Sequence, residues 1–424
     1  ALGDLEKIMD EINNDKINEQ FSHLLEQLQE LTKSPSDPVM EGVVRTSAQM
    51  LTQMFNNYSN QIDTVRDQQF DYLEDGAIVR VNQLMENISK LNKQIRDDNL
   101  SGNPALELND QRNLLIDELA DYMDIEVVTT PVPIGAGKTI DELSIVLRGQ
   151  GVEIVNNDEY GKLDIDTVQT TDDKVVLKFT NIDGTTDSNF NSKIKGGQID
   201  GYLKILNGKG DFAATGADDF EKAQGVLYYR SMLDTLANKF AEEMNELNKE
   251  PVFDADGNIT SWTDKPLFEA REGAADITAG NIKISDDWSK AVESYITNTI
   301  IPKSGPDDDT TGAVDNILRM VNLFNEDQEF ENSDGTVLFK GKFQEFLAHT
   351  ITRLNLQKAD TQSSYDTYSE AQFQLDYARS SMSSVDMNEE GVNLLQYSKS
   401  YNASARLMTV LDEMLDTLIN RMAV

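Results

Sequence analysis

The chain has 424 residues, about three times the commonest domain length, so two or three domains with stable cores are expected. Apolar residues make up 39% and charged residues 26%, with 9 Pro and 25 Gly, a composition that excludes collagen-like and disordered classes. Against 75 Asp and Glu stand 37 Lys and Arg, and the formal charge of −38 repels phosphates and anionic head groups, which argues against nucleic-acid binding. The same self-repulsion should keep an isolated chain soluble and mostly monomeric at low salt.

Cysteine is absent, which removes disulfides, thiolate nucleophiles, iron–sulfur clusters and the usual zinc sites. Only His23 and His349 could serve as imidazole bases or ligands, and they lie far apart in the chain. No apolar run approaches the roughly 20 residues that cross a bilayer, so no membrane insertion is expected. The opening ALGDLEKIMDEI lacks the basic-then-apolar layout of a secretory signal, and its mid-helix character is that expected of a piece of a longer chain.

Leu5, Ile8, Ile12, Leu24, Leu28 and Leu31 recur at helical spacing, with a polar break from Asn13 to Lys16, and predict an amphipathic helix up to Lys33. Ser34-Pro35-Ser36-Asp37-Pro38 stops it. From Val43 to about Asp98 a heptad seam runs through Leu51, Phe55, Tyr58, Ile62, Val65, Gln69 and Tyr72. Beyond Gly76 it resumes in shifted phase at Val81, Leu84, Ile88, Leu91 and Ile95. A helix of that length spans on the order of 80 Å, a rod rather than a catalytic scaffold.

After Gly102 and Pro104, Asn109 or Asp110 is expected to cap a short helix carrying Leu114, Leu115 and Leu119. From Ile125 to about Ile194, stretches such as IEVV, LSIVL, VEIV and VVLKF alternate with Gly, Asn and Asp turns and predict a strand-rich insert of about five strands. Helices return at Ile199 to Leu206 and from about Asp218, where Val226, Tyr229, Leu233, Leu236, Phe240, Met244 and Leu247 form a stripe expected to be intramolecular core. Residues 251–312 read as loops with a few short strands, punctuated by Pro251, Asp256-Gly257, Pro266, Pro302 and Gly305-Pro306.

From residue 313 the pattern is helical again. Phe343, Leu347, Ile351 and Leu354 give way to a polar seam through Gln362, Ser364, Tyr365, Tyr368, Gln372 and Leu375, expected to be partly exposed, and Ser380 to Ser384 break the helix. Asp386 followed by Glu389 has the form of an N-terminal capping pair. Beyond it Leu394, Tyr397, Tyr401, Ser404, Met408, Leu411, Leu415, Leu418 and Met422 alternate at spacings of 3 and 4. With few helices nearby in sequence to cover it, this terminal seam is expected to associate with other copies or with a segment preceding residue 1.

Candidate chemistry reduces to duller readings. Gly135-Ala136-Gly137-Lys138-Thr139 has the end of a phosphate loop, but position 132 is Val where that loop needs Gly, and strand follows where a helix should. Aligning Gly257 of Asp254-Ala255-Asp256-Gly257-Asn258 with the calcium-loop glycine puts Val252 and Thr263 at ligand positions, so a β-turn is expected. Asp307-Asp308-Asp309, Glu242-Glu243, Glu118 with Asp121, and Glu389-Glu390 read as solvated acids. No nucleophile, base and orienting group can be assembled, so neither enzyme activity, catalytic residues, cofactor nor metal is expected.

The closing segment SSVDMNEEGVNLLQYSKSYNASARLMTVLDEMLDTLI resembles the last helix of bacterial flagellar axial proteins of the rod, hook and hook-associated families. The stretch from LGDLEKIMDEI through SPSDPVMEGVVRTSAQMLTQMF, then LNDQRNLLIDELADYMDIEV and GGQIDGYLKILN, resembles the FlgK family of hook–filament junction proteins, nearly throughout and in order. That resemblance implies a non-enzymatic subunit, exported unfolded by the flagellar type III apparatus with an export chaperone and secreted to the extracellular flagellum. It also implies a ring of copies with hook protein below and a second junction protein above. The family's apolar N-terminal helix is not in the sequence, and 251–312 is short for the extra β domain of some members.

The fold expected is α+β and mostly α: an elongated helical bundle with a β-rich insert and a C-terminal coiled-coil-type helix. Its parts are a helical rod domain from 1–124, 196–250 and 313–382, the insert at 125–195, irregular loops and short strands at 251–312, and an axial, inner-tube helix at 383–424. The assembly seam assigned to that helix is Leu394, Tyr397, Tyr401, Met408, Leu411, Leu415, Leu418 and Met422. Other readings are a hook or filament subunit, or an acidic secreted calcium-binding or adhesive surface protein.

Overall fold

The structure, a computed structural model, describes residues 3, 17–135, 138–171, 173–254, 256, 258–302, 312–332, 334–383 and 387–420. Leu5 to Lys16 of the first expected helix, Asp307 to Asp309, Ser384 and the Asp386 cap lie outside those residues. The chain divides into two compact units, Ala1–Asn355 and Leu356–Val424.

The first unit is mostly helical with a β-rich insert. Helix α1 (Ile17–Leu31) buries Ile17, Phe21, Leu24, Leu28 and Leu31 on one face. Helix α2 (Pro38–Asp71) starts where the SPSDP turn dictates: the Asp37 carboxylate accepts from the Val39 amide, and Pro38, which has no amide hydrogen to satisfy, fills the first turn. A π-helical turn, Tyr72–Ile78, joins α2 to α3 (Val79–Leu100) without a break.

That turn is the physical basis of the phase shift seen in the sequence. A π turn holds one residue more than an α turn, so the buried face passes from Gln69 to Leu73, Ala77 and Val81, then on to Leu84 and Ile88. Tyr72, expected on the seam, is 59% exposed, and Leu73 takes its place inside.

Helix α4 (Leu106–Tyr122) begins one turn before the expected caps. Asn109 instead lies inside the helix and donates to the Ala105 carbonyl, and Leu114 faces solvent. The insert follows as two antiparallel sheets. One orders β1 (Ile125–Gly135), β2 (Lys138–Leu147), β3 (Val152–Asn156) and β4 (Glu159–Tyr160) as a meander; the other holds β5 (Lys162–Ile165), β6 (Leu177–Thr180) and β7 (Thr186–Asp187).

Gly196 and Gly197 both adopt positive φ, a conformation costly for other residues, and turn the chain into α5 (Gly197–Asn207). The next helix, α6 (Val226–Leu247), starts later than the expected Asp218. The Asp218 carboxylate accepts from the amides of Phe220 and Glu221, which holds that stretch as a turn. Gly208 and Gly225 then approach so closely that a Cβ on either would collide with backbone.

Two hairpins occupy 250–284: β8 (Glu250–Phe253) with β9 (Ile259–Thr263), and β10 (Phe268–Ala270) with β11 (Ile282–Ile284). Short helix α7 (Asp286–Lys290) and α8 (Asp315–Leu323) come next. The stretch after 313, read as helix throughout, contains a further hairpin, β12 (Gln328–Glu331) with β13 (Val337–Gly341). Its turn is set by Asn332, whose side-chain oxygen accepts from the amides of Asp334 and Thr336. Helix α9 (Phe343–Ser383) follows.

Two apolar cores fill this unit. In the first, Phe21 meets Phe55, Phe240, Phe324 and Phe343 at ring separations of 5.3 to 6.2 Å, and the α6 stripe lies wholly inside except for half-buried Leu247. The second gathers α3, α4, α5 and the inner faces of the insert, with Phe179 stacked on Phe190 at 4.8 Å.

Candidate assembly surface

The second unit comprises α9 from Leu356 and helix α10 (Met387–Asn420). Both are helical by local rules: few β-branched residues interrupt them, and side-chain bonds four residues apart, Gln362 to Asp366 and Gln374 to Glu370, support the exposed turns. The hydroxyls of Thr361, Thr367, Ser404 and Thr409 bond back to the carbonyl one turn earlier. Their polar groups are thus satisfied within the helix, and the apolar ones are left to find partners.

Almost nothing covers those apolar groups. Every residue with a described side chain from 359 to 381 and from 389 to 415 is exposed, save half-buried Asn393. Along α10 the expected seam positions Leu394, Tyr397, Tyr401, Met408, Leu411 and Leu415 share one face and are all open, from 46% at Leu411 to 77% at Tyr401. Leu418 lies in the helix but its side chain is outside the described residues, as is Met422 altogether. Full burial of a large apolar side chain contributes about 1.5 to 3 kcal/mol, so these six positions offer on the order of 10 kcal/mol to a partner.

A second stripe escaped the sequence reading. Leu407, Val410 and Met414, exposed by 63%, 47% and 60%, continue from Ala403 at spacings of 4, 3 and 4 beside the main seam. The signal was the same alternation counted from a different starting residue. On α9, Tyr365, Tyr368 and Leu375 of the polar seam are exposed as expected, together with Phe373 and Tyr377.

The remaining candidates resolve into scaffolding. Gly135 and Lys138 pair across the end of the β1–β2 hairpin, with Ala136 and Gly137 outside the described residues, so no helix follows the glycines. One Asp254 oxygen accepts from the amides of Asp256 and Asn258, the turn between β8 and β9; Ala255 and Gly257 lie outside the described residues. Glu118 pairs with Arg80 through two bonds of 2.6 and 2.7 Å, which lowers its pKa, and Glu243 pairs with Lys239.

His23 is exposed on α1, whereas His349 stacks on Phe339 at 5.0 Å, and burial together with Arg353 lowers its pKa. Among the described residues no three His, Cys, Asp or Glu side chains group as metal ligands, and no helix is long and apolar enough to cross a membrane.

Comparison with known proteins follows the same division. A model of the C-terminal region of the flagellar basal body rod FlgEFG proteins matches residues 379–422. Flagellar hook-associated protein 1 of Bacillus subtilis (strain 168) is 26% identical over 451 residues, an alignment covering all of this chain and 80% of that one. The solved flagellar hook junction protein FlgK from Burkholderia pseudomallei matches with a TM-score of 0.45 and 19% identity, over 63% of this chain and 44% of that one, so the match spans less than half its length. The model of the flagellar hook-associated protein FlgK helical domain covers residues 2–263, more than half of the sequence, and the chain belongs to the FlgK family, structural proteins of the bacterial flagellum.

Proposed function

We propose that the chain is the subunit that joins hook to filament, working as a ring of copies with hook protein below and a second junction protein above. It reaches the extracellular flagellum through the type III apparatus, unfolded and escorted by an export chaperone, and carries out no catalytic step. The open apolar seam on α10 carries this reading: a helix that leaves six large side chains in water is built to be covered by neighbours. In this reading 383–424 is the inner-tube element, 1–124, 196–250 and 313–382 form the helical rod domain, and 125–195 is its β-rich insert. The lack of cysteine suits threading through a narrow channel. Electron microscopy of hook–basal-body preparations labelled for this protein tests the reading. Label confined to the distal end of the hook is expected, and label along the rod or filament would overturn it.

A further inference from the structure

A cleft of about 620 Å³ opens between α3, the start of α4 and the β1–β2 ribbon, remote in sequence from the α10 seam. Arg112 lines it. Its guanidinium donates 3.1 Å to the Asn92 side-chain oxygen and 2.8 Å to that of Asn109, both neutral amides. Each amide is itself tied down, Asn92 to the Asn157 carbonyl and Asn109 to the Ala105 carbonyl, both at 2.8 Å. The cation is therefore held rigidly. Its Nε is buried with no partner, and among the described residues no carboxylate pairs with it.

An unneutralised, half-buried charge is costly, and burial lowers the Arg112 pKa. In a chain with twice as many acids as bases, the missing counter-charge is not a shortage of carboxylates. Glu118, on the same helix, is directed to Arg80 instead. The rest of the cleft is built for a ligand with more than one kind of group. Asn99, Thr129 and Thr139 offer side-chain polar atoms with no partner among the described residues, Asp141 adds a carboxylate acceptor, and Leu143 an apolar surface. A purely anionic ligand would not be met by Asp141, whereas hydroxyl groups would donate to it. The volume lies in the range of small-molecule sites.

We propose that this cleft binds an acidic monosaccharide of the uronic or sialic acid class, its carboxylate on Arg112 and its hydroxyls on Asp141, Asn99 and the two threonines. The hydrogens of Nη1 and Nη2 that are not given to Asn92 and Asn109 remain for the carboxylate, which fixes the sugar's orientation, while the edge of the largely buried Leu143 meets its C–H face.

The test uses the full chain labelled with 15N-arginine and titrated with glucuronic acid, N-acetylneuraminic acid, acetate and glucose. The Arg112 guanidinium resonances should move saturably with the two sugar acids, remain still with glucose, and respond to acetate about tenfold more weakly. Because Arg112→Met removes a brace between helices and could unfold the region, Asp141→Asn and Asn99→Ala carry the argument, since neither residue holds Arg112. Each should weaken sugar-acid binding about tenfold with the melting transition unchanged. Absence of saturable movement, acetate binding as tightly as the sugar acids, or unchanged affinity in both variants would overturn the proposal.

Discussion

The indole N–H of Trp288 donates 2.9 Å to the carboxylate of Glu41, and both side chains are sealed from solvent, across 247 residues of sequence. The same carboxylate accepts from the Ser294 hydroxyl at 2.6 Å and from the amides of Tyr295 and Ile296, with Arg45 at 3.6 Å. One residue in the first turn of α2 thereby fixes the strand-poor stretch after α7, which has little regular structure to satisfy its own amides.

Glu41→Ala would strip that acceptor and leave several buried donors unpaired, at a cost of about 3 to 5 kcal/mol. The urea midpoint should fall accordingly, and hydrogen exchange at residues 294–296 should accelerate. Glu41→Gln keeps one acceptor oxygen and should lose less. A change in Glu41→Ala below about 1 kcal/mol would show that the stretch is held by other means.

Leu236 is wholly enclosed in the first core and Leu233 nearly so, as the stripe on α6 required. Leu236→Ala should cost about 2 to 5 kcal/mol, the transfer term plus the cavity left where a close-packed core relaxes only in part. Leu114 is an internal control, because it occupies an equally apolar-looking helical position yet is 69% exposed. Leu114→Ala should stay within about 0.5 kcal/mol. Equal thermal shifts for the two variants would contradict the burial pattern.

The contrast between these leucines shows what the sequence could and could not disclose. Where a face is strongly periodic, as on α6 or along α2, the pattern named the buried residues, and even the π turn at Tyr72–Ile78 was visible as a slip in phase. Tyr72 and Leu73 exchanged places because a heptad count cannot say where the extra residue is absorbed. The β12–β13 hairpin was missed because its strands are four and five residues long and lie between helices, too short for alternation to outweigh the surrounding helical pattern. The Glu41 network and the Arg112 cleft were illegible for another reason: they depend on residues brought together over long separations, which no local spacing records.

Asp234 gives a pH signature. Its carboxylate is mostly buried, accepts from the Ala279 amide at 2.8 Å, and faces Arg230 at 4.0 Å with Asp63 and Asp173 nearby. Burial is the dominant influence and raises its pKa from 3.8 to about 6. Since the folded state holds this proton more tightly than the unfolded chain, stability falls as pH rises from about 4 to about 6, and the full penalty persists above that. Asp234→Asn retains an oxygen for Ala279 and removes the charge. It should gain up to about 3 kcal/mol over the parent at pH 8 and nothing at pH 3.5, in urea melts at the two pH values. A variant less stable than the parent at pH 8 would show that the Arg230 attraction outweighs desolvation.

The α10 seam makes the sharpest demand on the proposed function. Leu411 and Leu415 stand one turn apart on the open face, 46% and 55% exposed, so placing Asp at both should change the melting transition of the isolated chain by no more than about 1 kcal/mol. In an assembled tube the same two positions would lie in a dry interface, where a carboxylate with no counter-charge is too costly to keep. Under the proposed function export acts on the unfolded chain, and it should be untouched. The double variant Leu411→Asp/Leu415→Asp, in an otherwise full-length protein, should therefore be secreted yet fail to enter the junction, and filament subunits should accumulate in the medium. A collapsed melting transition would show that the helix is part of a folded core, and normal filaments on cells carrying only the variant would show that the seam is not the assembly surface. Because both aspartates are harmless in water and prohibitive only when covered, the difference between the melting and assembly measurements reads the covering of α10 directly.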